Sequence, residues 1–457
     1  MLTRINPATG QALDSYPCAD AAERERLLGA AVSAYADWKN TRFADRAALL
    51  RAVAAELRAA RESLAQMMAQ EMGKPIKEGR AEVEKSAWCA EHYAEHAEAY
   101  LAAQTLPSDA THSYVQHLPL GPVLGILPWN APAWLAFRFC APALMAGNTC
   151  LMKHDPHVPG SAKAIADCFE RAGAPPGVFA NLPLVNADVE AVIRDARVRA
   201  VSFTGSDRAG AAVAASAASE IKPAVLELGG SDPGIVLADA DLDKAAEVLT
   251  LSRIINAGQS CIAAKRLIIE APVYERFSGL MQERLARLKR GDPREESTDI
   301  GPIARADLRE ALAGQVTDSI HAGARCLLGG ELPDGPGYFY PVTLLADVTP
   351  EMRVFREETF GPIACLIRAE DAEHALALAN DTPYGLGAGI WTETARGQDM
   401  ARRIEAGQVA VNGIVKTDPR LPSGGIKRSG YGRELGPHGI HAFVNAQQVW
   451  VGPVRPT

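Results

Sequence analysis

The chain has 457 residues, of which 47% are hydrophobic and 22% charged, with a formal net charge of −8. That length holds two or three domains with sizeable cores, and that composition excludes a disordered or fibrous chain. The acidic balance, with no basic stripe, argues against nucleic acid or an anionic membrane surface as partner, and no apolar run approaches the ~18 residues of a membrane span.

In chain order, MLTRINPATGQALDSYP lacks the apolar core of a leader and reads as mature protein. In 42–73, Leu50, Val53, Leu57, Leu64 and Met68 recur at three-, four- and seven-residue steps. This spacing predicts one long helix ended by Gly73 and Pro75, with a second over about 78–103, so the first hundred residues read as helical. The stretch to 120 turns and extends, with Tyr114 and Val115 favouring a strand. From 121, short apolar runs such as VLGILP, TCLMK, RAVSFTGS and PAVLELGG alternate with helical windows. GIVLAD, RLIIEAP, ACLIRA, GAGIWT and QVAVNG continue the pattern. Strands alternating with helices predict an α/β protein with largely parallel sheets, in two series, 121–229 and 234–420, with a seam near Gly229-Gly230. The tail HAFVNAQQVWV is a lone β-like segment that needs a sheet to join, in this chain or in another subunit. Eight cysteines are scattered without Cys-x-x-Cys spacing or a paired histidine motif, which predicts neither zinc nor a disulfide framework and fits a reducing cytoplasm.

Four features carry chemistry. PWNAP sets Asn130 between prolines after a strand, where its amide could donate to an oxyanion; the plainer reading is a turn residue. Thr204-Gly205-Ser206 joins a strand to a helix, which suits either a dinucleotide pyrophosphate or merely a tight turn. Glu227 ends an apolar strand before two glycines, as a general base or as a salt-bridged surface carboxylate. Cys261, in NAGQSCIAAKR, has small neighbours that permit close approach, although a free cysteine is more often a small buried hydrophobe. Together they suit covalent catalysis at a carbonyl with a dinucleotide as electron acceptor.

These motifs resemble the aldehyde dehydrogenase superfamily over essentially the whole chain. PWNAP, LELGG, GQSC, EETFGP (357–362) and SGGIKRSGYGRELG (423–436) match five ordered family motifs at family spacing. The resemblance implies two Rossmann-like α/β domains plus a β oligomerisation arm. The dinucleotide-binding part is expected at 1–105 and 119–229, the catalytic part at 230–430, and the arm at 106–118 and 431–457. It implies Cys261 as nucleophile, Glu227 as the base that activates water, and the Asn130 amide as oxyanion donor. It assigns Lys153, Thr204, Gly205, Ser206, Gly229, Glu358, Phe360 and Trp129 to NAD or NADP, with no metal. Pro156 stands where the family often carries a ribose-binding glutamate, so NADP is expected to be accepted alongside NAD, with Asp155 as the residue that would oppose it. Ser423 replaces a usual phenylalanine, and Phe139 a lysine assigned to proton relay.

Arg138 matches the arginine that, in the family's succinate-semialdehyde branch, pairs with the substrate's distal carboxylate. A second arginine of that branch is replaced by Ile255, with Arg253 nearby. The expected reaction is oxidation of an aldehyde, with succinate semialdehyde favoured over glutarate semialdehyde or simple aliphatic aldehydes, by a cytoplasmic homodimer or homotetramer. A thiol esterase or a non-catalytic homologue is the competing reading; TGS, EETFGP and the retained Cys261 and Glu227 argue against both.

Overall fold

The computed structural model describes residues 1–452. A six-stranded sheet runs in the order Phe179–Asn181, Thr149–His154, Pro122–Leu127, Ala200–Thr204, Ala224–Glu227, Gly430–Tyr431. Its first five strands are parallel and the last is antiparallel. PVLGIL and TCLMKH are buried at every residue, as expected for central parallel strands covered on both faces. A seven-stranded sheet runs Arg325–Leu328, Thr343–Ala346, Ile363–Ala369, Ala264–Glu270, Asp232–Val236, Gly387–Trp391, Gln408–Val411, parallel except for its first pair. Glu227 closes a strand of the first sheet and Asp232 opens one of the second, so the chain changes sheets at Gly229-Gly230.

The first hundred residues are not wholly helical. Leu2–Asn6 and Gln11–Tyr16 form an antiparallel hairpin, turned by Asn6, whose carbonyl accepts from Gly10 N at 2.7 Å. The expected long helix is two, Phe43–Ala59 and Arg61–Met72, broken at Ala60 and ended by Gly73 in the left-handed region. The helix after them spans Ile76–Tyr100. The apolar stripe continues across the break because Leu57 and Leu64 share one core. Further elements were not anticipated, among them the helices Pro132–Met145 and Ala306–His321, the strand Phe179–Asn181 and the strand pair 325–328/343–346.

The tail strand Val444–Val451 pairs antiparallel with His112–Pro119, which also pairs with Gln104–Thr105. The lone segment therefore finds its sheet within the chain, while its outer edge stays open. Gly430–Tyr431 lies in the six-stranded sheet, so the segment around residue 431 joins that sheet rather than the three-stranded arm. The last five residues of the expected 431–457 arm lie outside the described residues. No helix among the described residues is long and apolar enough to cross a membrane.

Candidate active site

Strand register gathers the singled-out residues at one edge of the six-stranded sheet. Ile126 pairs with Lys153 and with Phe203, and Thr204 pairs with Glu227. Asn130, Lys153, Thr204–Ser206 and Glu227 thus sit at the carboxyl ends of adjacent parallel strands, where open α/β sheets bind ligands.

The loop that carries Cys261 leans over this edge. Asn256, Ala257 and Gly258 are consecutively left-handed, at φ 56°, 52° and 74°. For an alanine that costs roughly 1–2 kcal/mol, so the surroundings must enforce it. Asn256 N donates to Glu78 Oε2 at 2.7 Å, and Asn256 Nδ2 donates to the carbonyls of Asn130 (2.9 Å) and Gln259 (3.2 Å). Gln259 Oε1 accepts from Ala304 N, and buried Arg253 donates to the carbonyls of Gly258 and Gly361. The Asn130 amide donates to Gln259 O at 3.2 Å, which sets it two residues from the cysteine. Lys74 fixes Asn130 from behind: its ammonium donates to Asn130 O at 2.9 Å and pairs with Glu82. The other Glu82 oxygen accepts from Ala133 N and Trp134 N at the start of the helix Pro132–Met145.

Cys261 is partly exposed as a residue. Burial of its thiol pushes the pKa up to about 12, against the lowering influence of the Arg138 and Lys265 cations. Lys265 is fully buried and donates to the carbonyls of Ser260 (2.9 Å) and Cys261 (2.7 Å), so it anchors the loop as well as its charge. Glu227 is buried, and desolvation raises its pKa to about 7 despite Arg138 beside it. Its Oε2 accepts from Arg138 Nη2 at 3.0 Å, while Oε1 has no partner. Arg138 Nε donates to Glu434 Oε2 at 2.5 Å, and Ser202 Oγ donates to Glu434 Oε1 at 3.1 Å. Gly424 gives the Glu227 carboxylate its space: a Cβ there would lie 2.6 Å from Oε1, and φ is +147°. A thiol, a carboxylate titrating near neutrality and two buried cations therefore share one desolvated pocket, the combination that covalent acyl chemistry needs.

The neighbouring groups fit a dinucleotide. Ser206 Oγ caps the helix Asp207–Ser219 by accepting from Ala209 N at 3.3 Å, and Thr204 Oγ1 is buried without a partner. Lys153 is buried, with Nζ donating to Asn186 Oδ1 at 2.6 Å. Glu358 Oε1 accepts from Gly230 N at 3.1 Å and lies 3.4 Å from Lys265 Nζ; a Cβ at Gly229 would come within 2.3 Å of Glu358 Oε2. Trp129 meets Phe360 edge to face at 5.8 Å. Asp155, the residue that would oppose a 2′-phosphate, is tied up by the backbone N–H of His157 (2.9 Å) and its imidazole (3.0 Å). A capped helix start, an orphaned hydroxyl and a carboxylate cradled by glycine are what a nucleotide phosphate and a ribose would use.

The model of the aldehyde dehydrogenase family matches residues 1–449. The chain belongs to the aldehyde dehydrogenase family. It is 48% identical over 447 residues to the succinate semialdehyde dehydrogenase Sad of Escherichia coli K12, described as NAD(P)+-dependent, covering 98% of this chain and 97% of that one. It is 47% identical to a probable NADP+-dependent succinate-semialdehyde dehydrogenase of Synechocystis, covering 98% and 99%. The crystal structure of succinic semialdehyde dehydrogenase from Streptococcus pyogenes in complex with NADP+ matches with a TM-score of 0.97 at 34% identity, covering 99% of this chain and all of that one.

In this aldehyde dehydrogenase Asn130, Glu227, Cys261 and Arg138 converge as one cluster, with Glu358, Phe360 and Trp129 beside it. Two protein carboxylates already hold Arg138. Arg253 donates to loop carbonyls through Nη2 alone, and its Nε and Nη1 have no partner among the described residues. Phe139 is core, its ring packed against Gly125, and Ser423 is buried with its backbone paired to Glu434. Sequence reasoning missed Lys265, Glu434, Lys74 and Glu82. Lys265 lies inside the quoted NAGQSCIAAKR and Glu434 inside the C-terminal signature, so a cation and an acid in those motifs were the available signals. Among the described residues no group of three His, Cys, Asp or Glu could hold a metal.

Proposed function

We propose that this aldehyde dehydrogenase oxidises succinate semialdehyde to succinate with NAD or NADP. The observation that carries this reading is a buried guanidinium, Arg138, close enough to Cys261 for its charge to act on the thiol. A cation there recognises an aldehyde whose far end is a carboxylate. The names of relatives 45–48% identical support the same substrate and cofactors.

Cys261 adds to the aldehyde carbon as the thiolate, its proton having passed to solvent. The second Asn130 amide hydrogen and the Cys261 N–H stabilise the oxyanion; such a donor is worth roughly 10²–10³ in rate. Glu358 and Phe360 would hold the nicotinamide end of the dinucleotide, which when bound would supply the hydride acceptor. Glu227 then takes a proton from water as it attacks the thioester, and succinate leaves as the Cys261 sulfur is released. Lys153 and Glu358 would hold the two riboses, Thr204–Ser206 the pyrophosphate, with Gly229 making room.

In this reading the six-stranded layer, 1–105 and 119–229, binds the dinucleotide and 230–430 carries catalysis. The open edge of Val444–Val451, with Trp450 and Val451 exposed, supports association into a homodimer or homotetramer. The test is reduction of NAD and NADP at 340 nm with succinate semialdehyde, glutarate semialdehyde and butanal, for the wild type and Arg138→Gln. The expected result is a KM for succinate semialdehyde raised on the order of 100-fold relative to that for butanal. An unchanged preference would make Arg138 structural and the enzyme a broader aldehyde dehydrogenase.

A further inference from the structure

We propose that the distal carboxylate of the substrate and the Glu227 carboxylate exchange places on Arg138, so that binding a carboxylate-bearing aldehyde releases the base to act at Cys261. The inference rests on the reading above, in which Arg138 grips the substrate and Glu227 activates water.

Two of the guanidinium's five N–H groups, on two of its three nitrogens, are committed before any substrate arrives. Nε is held by Glu434 and Nη2 by Glu227, and among the described residues Nη1 makes no hydrogen bond to the protein. A substrate carboxylate taking the Nη1–Nη2 edge in a two-point grip meets the Glu227 oxygen at Nη2. The cluster would then contain three carboxylates around one guanidinium, all in a pocket where Arg138 is 3% and Glu227 4% exposed. One guanidinium does not pair with three buried carboxylates at once, so one carboxylate must leave or be neutralised.

The geometry selects which one. Glu434 is held at both oxygens, by Arg138 and by Ser202, and its backbone is paired to Ser423 in both directions, N to O at 2.7 and 2.8 Å. Glu227 is held at one oxygen only; its Oε1 is buried with no partner among the described residues. Beside that oxygen lies the bare Cα of Gly424 rather than a side chain, and two glycines follow Glu227 at 229 and 230. Glu227 is therefore the carboxylate free to turn.

While paired with Arg138, Glu227 is both misdirected and weakened as a base. The charged groups acting on it are Arg138 from the helix Pro132–Met145 and Glu434 and Arg433 from the C-terminal segment; Glu227 in turn acts on Cys261. Of these, Arg138 lowers its pKa most. Transfer of that cation to the substrate raises the basicity of Glu227 in the state that must deprotonate water. An uncharged aldehyde leaves Glu227 where it is, so selectivity arises in the hydrolytic step as well as in binding.

The test divides the substrate in two. Acetaldehyde carries the reacting end and acetate the carboxylate end. Hydrolysis of the wild-type acyl-enzyme is followed after a single turnover of acetaldehyde, across pH, in sodium acetate and in sodium chloride of equal ionic strength. Acetate is expected to accelerate hydrolysis saturably, roughly tenfold or more, and to move the acid limb to higher pH, toward that of succinate semialdehyde. If acetate leaves the rate unchanged or inhibits, while Arg138→Gln still raises KM for succinate semialdehyde relative to butanal, the exchange is wrong and the clamp survives. If Arg138→Gln does not distinguish succinate semialdehyde from butanal, the clamp itself fails and the exchange falls with it.

Discussion

Glu227 titrates near 7 because burial outweighs the cation beside it. Hydrolysis needs it ionised, so the deacylation rate should fall as pH drops through about 7, read as the acid limb of single-turnover hydrolysis. Glu227→Gln should keep the first-turnover burst of reduced nucleotide while acyl-enzyme hydrolysis drops about 10²–10⁴-fold. A burst lost together with turnover would mean that Glu227 is also needed to deprotonate Cys261. Gly424→Ala tests the space around the same carboxylate. The added methyl would press on Glu227 Oε1 at a backbone angle that disfavours any side chain. Deacylation should slow roughly tenfold or more, on the argument that small displacements of a reacting group are costly.

Among the elements, the strands Asp232–Val236 and Gly387–Trp391 enclose a second carboxyl. Asp232 is buried, with Oδ1 accepting from Gly387 N at 3.0 Å and its pKa raised by desolvation to about 7. A folded pKa above the unfolded value of about 3.9 gives stability that is fully present below the unfolded value and lost as pH rises through the folded one. The melting temperature of Asp232→Asn should therefore gain on that of the wild type by about 2 °C or more between pH 5 and pH 8, by differential scanning calorimetry. Equal melting curves at both pH values would show that Lys265 already compensates the charge. The elements differ in how openly the sequence declares them. VLGIL and AVSFT read as strands because each is a short, mostly apolar run closed by a turn residue, Pro128 or Gly205. The helix Pro132–Met145 hides for a related reason: buried at all fourteen positions, it shows no 3.6-residue stripe, and two prolines look like breaks. The hairpin 2–16 is polar and largely exposed on its second strand, so no alternation marks it. In the site, Cys261 and Glu227 are legible because their local surroundings are unusual. The partners of Arg138 are not, since Glu434 lies 296 residues away and only the fold brings it to the guanidinium.

At the scale of the whole molecule, the three-stranded sheet leaves Val444–Val451 as an open edge carrying exposed apolar side chains. Edge strands of this kind are covered in stable proteins. Trp450→Lys should shift the molecular mass measured by light scattering toward the monomer, with activity per subunit largely retained if each site is complete within its own chain. The site draws on both ends of the sequence. Gly430–Tyr431 forms the border strand beside Ala224–Glu227, and the segment that follows delivers Glu434 to Arg138. At synthesis rates of about 5–20 residues per second, Tyr431 is added roughly 10–40 s after Glu227. From the addition of Cys261 to the end of that interval the nascent chain holds its base and nucleophile with an unfinished sheet, and Arg138 lacks one of its two carboxylates. Catalytic competence is therefore withheld until translation is nearly over, and a chain truncated before residue 430 would be born without a working centre, however well its earlier strands had assembled.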